Sequence, residues 1–246
     1  MRKLIRTKHF FLSIISIFLV GFTIPLGTPN QLINKLNRPG VVWWHGARDK
    51  PEVALTFDDG PNEPYTSEIL KVLDKYQVKA TFFMLGKNVE KHPEVAGAIA
   101  KAGHAIGNHS YTHWNLIIDT PTQILYEINL ADTTIQKVTG VKPYLFRPPF
   151  GGDDPWVFDE TEKLGYVVVK WSLSSKDWER PGAAQIVQNV FSGVQNGSII
   201  QLHDGETLHH GADRSQTVSA LPSIIVGLKK RGYKSVTVPV LLRLEK

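Results

Sequence analysis

The 246-residue sequence contains no cysteine. Disulfides, iron–sulfur clusters, thiolate zinc sites and a cysteine nucleophile are therefore excluded, and any metal must be held by His, Asp or Glu. The sequence has no internal repeat and no low-complexity tract, and its composition is not that of a disordered or collagen-like chain. Net positive charge is scarce beyond the first 27 residues. Of the formal net charge of +5, residues 1–27 supply four through Arg2, Lys3, Arg6 and Lys8, with no acid among them. The remainder is near neutral, so no nucleic-acid partner is expected, because that would require a basic face on the folded domain. Apolar residues, by contrast, are plentiful. At 42% hydrophobic and 10% aromatic, the chain can bury one sizeable core, and α/β barrels of about 200–250 residues form single domains.

The basic start MRKLIRTKH is followed by an apolar run over residues 10–27, FFLSIISIFLVGFTIPLG. This order of charge and hydrophobicity predicts a signal peptide or N-terminal membrane anchor over 1–27, and hence export, either secreted or held at the outer face of the membrane or in the cell wall. Any membrane contact is expected through this segment alone. Residues 28–50 mix Pro, Asn and Gly with the aromatic patch Val41-Val42-Trp43-Trp44 and read as a linker, leaving 51–246 as the folded domain.

From residue 51 onward, β-rich runs alternate with amphipathic segments. Strands are expected over 53–57, 80–85, 105–107, 144–146, 167–171, 198–202 and 235–238. Helices are expected over 67–76, 121–138 and 215–230, the second opened by Thr120-Pro121 as a cap followed by Pro in the first turn. Alternation of this kind implies parallel pairing with right-handed crossovers. About seven units predict an α/β fold, a (β/α) barrel incomplete relative to eight, with functional residues where strands end.

Polar residues collect at those ends. After the first strand, Asp58 and Asp59 stand side by side before Gly60-Pro61. Adjacent carboxylates raise one another's pKa, a cost that a bound metal would remove, though an ordinary Asp-Gly turn has the same sequence. After the third strand, His109 and His113 are spaced i,i+4, which on a helical turn puts both on one face. With Asp59 they make a two-His, one-carboxylate set suited to zinc or another divalent transition ion. After the fourth strand comes Arg147-Pro148-Pro149-Phe150-Gly151, where a permanently charged guanidinium can orient Asp58. Asp177-Trp178 follows the fifth strand. Leu202-His203-Asp204 ends the sixth, with His203 suited to general-acid work and Trp178 and Leu202 to a small apolar pocket. Singly, each of these also fits an ordinary surface or core residue.

Together, TFDDGP at 56–61 and HSYTH at 109–113, supported by RPPFG at 147–151 and the Leu-His of the sixth strand, resemble the polysaccharide deacetylase family (the NodB-homology domain, carbohydrate esterase family 4). The resemblance covers roughly residues 50–242. It implies a distorted (β/α) barrel in which Asp58 is the general base and Asp59, His109 and His113 bind a metal, zinc first, with cobalt, manganese or nickel as alternatives. Arg147 would hold the base and Asp177 the charged network. His203 would protonate the leaving amine, while Trp178 and Leu202 would enclose the acetyl methyl. Two positions depart from the family pattern: Ser174 stands where an Asp is common, and Phe150 where Tyr is common, the latter used mainly through its backbone N–H.

The expectation is a metal-dependent hydrolase, a monomer, that removes N-acetyl groups from an N-acetylated polysaccharide. Peptidoglycan is the first choice of polymer, chitin-type oligomers the second and O-acetylated xylan the third. Trp114, Trp156 and Trp178 can stack on sugar rings, although core packing is the commoner use of such residues. Two rivals stand beside this reading. One is a catalytically silent wall-binding module on the same barrel, opposed by the presence of both Asp58 and His203. The other is an unrelated metal hydrolase such as a phosphoesterase, which would favour a two-metal site rich in carboxylates. His209-His210 could form a second site, but a flexible polar loop fits it better.

Overall fold

The computed structural model of the chain describes residues 42–205 and 213–244. The apolar segment 1–27, most of the expected linker and His209-His210 lie outside the described residues.

The chain opens with β1 (Val42–Trp43), β2 (Glu52–Asp58), α1 (Tyr65–Lys75) and β3 (Thr81–Met84). Next come α2 (Gly86–Lys91), α3 (Pro93–Lys101), β4 (Ala105–Asn108), α4 (Pro121–Thr139), β5 (Leu145–Phe146) and α5 (Pro155–Lys163). The last part holds β6 (Val167–Val169), β7 (Leu173–Ser174), α6 (Ala183–Gly193), β8 (Ile199–His203), α7 (Ser215–Lys230), β9 (Lys234–Val236) and α8 (Val238–Leu241). All strand pairs are parallel, in the order β1-β6-β5-β4-β3-β2-β8-β7, with β9 also attached to β2. The sheet curls into the distorted, incomplete (β/α) barrel expected from the alternation.

Strand periodicity then sorts the side chains. On β2, Val53, Leu55 and Phe57 face outward and pack with Ile69 and Leu73 of α1 and Leu221 and Ile225 of α7. Ala54 faces inward, in a second cluster with Phe83, Leu145, Val169 and Ile199. Thr56 and Asp58 share that inner face by period two, so the barrel interior grades from apolar at the base to polar at the strand ends. Asp58 lies in register with His203 across the β2–β8 pair, which brings two distant sequence motifs together.

Several local expectations need correction. Val42–Trp43 is not linker: it pairs with β6 as an edge strand, and His45 bridges to Ser198 at the start of β8. The strand expected over 167–171 ends at Val169, because the carbonyls of Val169 and Lys170 turn to the Arg147 guanidinium. The strand expected through Val238 ends at Val236, and residues 238–241 form α8, which starts with Pro239 in its first turn. Leu241 at its end and Leu242 just beyond it join the interior cluster and fill the base of the barrel. The cap of α4 forms as read: Thr120 Oγ1 accepts the N–H of Gln123 at 3.3 Å, and Gly140 ends the helix at φ 73°.

Candidate active site

The site is built on a buried ion pair. Asp58 and Arg147 are both wholly buried, and Arg147 Nη1 donates to Asp58 Oδ1 at 2.6 Å. The guanidinium also donates to Thr56 Oγ1 (2.8 Å) and to the carbonyls of Val169 (3.1 Å) and Lys170 (3.0 Å). Its plane rests over the Phe83 ring at 4.0 Å. A buried cation needs this many acceptors, since each unmet N–H would carry the full cost of desolvation. Gln201 Nε2 donates to the second oxygen of Asp58 at 3.1 Å. The base candidate is thus held in one orientation through both of its oxygens.

Asp59 follows at φ 76°, with its carbonyl accepting Asn88 Nδ2 at 2.6 Å. Gly60 is required next to it: a Cβ there would lie 2.0 Å from Asp204 Oδ2. Asp204 is itself buried beneath this turn, accepting from Thr66 Oγ1 at 2.7 Å. Burial, together with the charges of Asp59 and Asp58, pushes its carboxyl up to about 7 against the opposing Thr66 bond.

The i,i+4 histidines do not sit on a helical turn. Residues 109–113 form a loop with Ser110 at φ 71° and His113 at φ 63°. Side chains shape it: Asn108 Oδ1 accepts the N–H of Ser110 and Ser110 Oγ accepts the N–H of His113. The loop nonetheless delivers both rings. His109 Nε2 and His113 Nε2 lie 3.4 and 3.3 Å from the same atom, Asp59 Oδ1. His109 Nδ1 is hydrogen-bonded to the Arg147 carbonyl at 2.6 Å, so it carries the proton and leaves Nε2 as a lone pair.

Asp59 Oδ1 is buried without a hydrogen-bond partner. One carboxylate and two imidazole atoms lie within 4.8 Å of one another. An orphaned, buried carboxylate oxygen facing two imidazole nitrogens fits a divalent cation with nitrogen and oxygen ligands. Burial lowers the pKa of His113 to about 4, keeping it a neutral ligand, although the Asp59 charge opposes this. Burial alone would raise Asp59, but the facing histidines outweigh it and hold the carboxyl below its ordinary range.

On β8, His203 Nδ1 bonds Asp177 Oδ1 at 2.7 Å, and its backbone N–H donates to Asp177 Oδ2 at 2.8 Å. Thr217 Oγ1 donates to the same Asp177 oxygen. Burial would lower the pKa of His203, but Asp177, with smaller contributions from Asp59 and Asp58, raises it to about 9.

These groups line a cavity of about 260 Å³ whose apolar walls are Phe150, Trp171, Trp178 and Pro148. Phe150 sits at φ 57° with its ring 4.5 Å from that of His113. Leu202 does not reach the cavity. It points outward into the core cluster beneath the helices, and Gln201 and His203, on the other parity of β8, face the site instead. Gln201, Thr56 and Trp171 were not singled out from the sequence, yet Gln201 is two residues before His203 and the strand period alone identifies it. Trp114, Trp156 and Trp178 are all substantially exposed rather than core residues. Ser174, in the position where the family often has Asp, lies on β7, and its Oγ accepts the N–H of Lys176.

The polysaccharide deacetylase model matches residues 45–169. The chain belongs to the polysaccharide deacetylase family. Over 224 residues it is 39% identical to a peptidoglycan-N-acetylglucosamine deacetylase of Bacillus cereus, covering 86% of this chain and 98% of that one. A solved peptidoglycan N-acetylglucosamine deacetylase, crystallised with an aryl N-oxidanyl-benzamide, superposes with a TM-score of 0.79 at 35% identity, over 88% of this chain and 98% of that one. A carbohydrate esterase family 4 pseudoenzyme from Bacillus anthracis superposes with a TM-score of 0.76 at 30% identity, over 82% and 69% of the two chains. As a polysaccharide deacetylase the protein is a hydrolase of non-peptide carbon–nitrogen bonds.

Proposed function

We propose that the protein is exported and removes the N-acetyl group from N-acetylglucosamine units of peptidoglycan, acting as a monomer, secreted or tethered through residues 1–27. The observation that carries this reading is the pairing of Asp58 with His203 across β2 and β8, lining one cavity with Asp59, His109 and His113. One side chain is poised to take a proton and the other to give one. The similarity to the Bacillus cereus enzyme supports peptidoglycan as the polymer.

A zinc ion held by Asp59, His109 and His113 would polarise the acetyl carbonyl and acidify the attacking water. Asp58, oriented by Arg147, would accept the proton from the attacking water. The N–H of Phe150 donates to the oxyanion as the carbonyl carbon becomes tetrahedral. His203, charged through Asp177, delivers its Nε2 proton to the departing sugar nitrogen, and Trp178 and Trp171 shelter the methyl group.

The test is acetate release from peptidoglycan and from N-acetylglucosamine oligomers, before and after chelation and zinc repletion. Loss on chelation, recovery with zinc and preference for peptidoglycan are expected. Asp58→Asn should retain the metal and lose about 10²–10⁴-fold in turnover; near-normal turnover would remove Asp58 as the base. The likeness to a pseudoenzyme favours a second reading, a silent wall-binding module. Binding of one metal per chain with no acetate released from any polymer would select it.

A further inference from the structure

We propose that Glu127 is a positioning residue that sets the affinity of the site for a divalent cation, by holding the 109–113 loop in shape from α4. The inference rests on the reading of Asp59, His109 and His113 as ligands.

Glu127 is 3% exposed and lies on the buried face of α4 with Ile124, Ile128 and Ala131. A carboxylate in such apolar company is costly unless its oxygens are met. Among the described residues no Lys or Arg pairs with it. Its partners all belong to the histidine loop. Oε2 accepts the backbone N–H of Tyr111 at 3.1 Å and of Thr112 at 2.8 Å, and Oε1 accepts the Thr112 hydroxyl at 2.9 Å. The opposite side of the loop is pinned by α2, where the N–H groups of Gly86 and Lys87 donate to the carbonyls of Ser110 and Tyr111.

The two histidines differ in how much they need this clamp. The His109 ring is fixed independently, through Nδ1 on the Arg147 carbonyl. His113 Nδ1 is buried without a hydrogen-bond partner. With no hydrogen bond on its second nitrogen, the His113 ring takes its place from edge contacts with the His109 and Phe150 rings and from the loop backbone, where both Ser110 and His113 hold positive φ and neither is glycine. Conformations of that kind persist only where the surroundings over-determine them. Partners that orient a metal-binding histidine normally act on its second ring nitrogen. Here Glu127 supplies the equivalent constraint one step removed, through the backbone of Tyr111 and Thr112.

The test is titration of the metal-free full-length protein with Zn²⁺ and Co²⁺ against a chromophoric chelator, alongside thermal unfolding of the metal-free form. Glu127→Gln keeps the shape but cannot accept at both oxygens, and should weaken cation binding about 10–100-fold while the metal-free protein still unfolds cooperatively. Thr112→Val removes only the Oε1 bond and should weaken binding in the same direction by less. Glu90→Gln, which removes the charge of the exposed acceptor of the Tyr111 hydroxyl, should leave affinity unchanged. Wild-type affinity in both Glu127→Gln and Thr112→Val would overturn the proposal, as would an equal loss in Glu90→Gln. If Glu127→Gln fails to fold, Thr112→Val decides: weakened binding supports the clamp and unchanged binding overturns it. A wild-type chain that takes up no cation would instead overturn the ligand reading beneath it.

Discussion

Arg147 shows how one residue ties stability to chemistry. Its wholly buried guanidinium satisfies four acceptors, and one of them is the carboxylate of the proposed base. Lysine offers a single point of charge and cannot span those acceptors. Arg147→Lys is therefore expected to lose about 3–5 kcal/mol of stability, measured by denaturant unfolding, along with acetate release. His203 makes the complementary prediction in pH. Asp177 from the turn before α6, and Asp58 and Asp59 from the end of β2, face it and raise its pKa from 6.5 to about 9. Its charged form contributes stability that is fully present below 6.5 and lost as pH rises through 9. A bound cation offsets part of the pull of Asp59, so the descending limb of the activity profile should fall between 6.5 and 9. Asp177→Asn should move that limb towards 6.5, and a limb that stays put would remove His203 as the proton donor.

At the scale of elements, apolar runs and caps were legible in the sequence, whereas loops shaped by side chains were not. The start of helix α4 was readable because Thr120-Pro121 marks it by local chemistry, and Gly140 closes the other end in the structure. Thr120→Ala should cost about 1 kcal/mol in thermal unfolding without changing the rate of acetate release. The 109–113 loop defeated the same logic. A spacing of four suggests a helical turn, but Asn108 and Ser110 offer the backbone other partners and the chain takes them. The grouping of Asp59, His109 and His113 survived that error because it depends on the distance between their atoms, which a loop meets as well as a helix. Leu202 was misplaced for a different reason. Motif resemblance carries residue identity, whereas the parity of β8, anchored by inward-facing Asp58 on its partner strand, decides which residues see the cavity.

Across the whole molecule, the barrel was legible from the alternation of strands and helices, but its closure was not. Short β1 and the segment after β9 carry little periodic signal, and both take their places through long-range packing. Leu241 and Leu242 occupy the base of the interior alongside Ala54 and Phe83. Leu241→Ala should cost about 2–5 kcal/mol, read by thermal unfolding, and leave the acetate-release rate per folded molecule unchanged because the site lies at the other end of the strands.

The edge strand β1 also fixes where any tether would be attached. The first described strand begins at Val42, so if residues 1–27 stay in the bilayer, fourteen residues lie between membrane and β1. Fully extended they span about 50 Å. An enzyme so moored would work a thin shell of polymer just above the lipid, touching strands as they are laid down and leaving older, outer material acetylated.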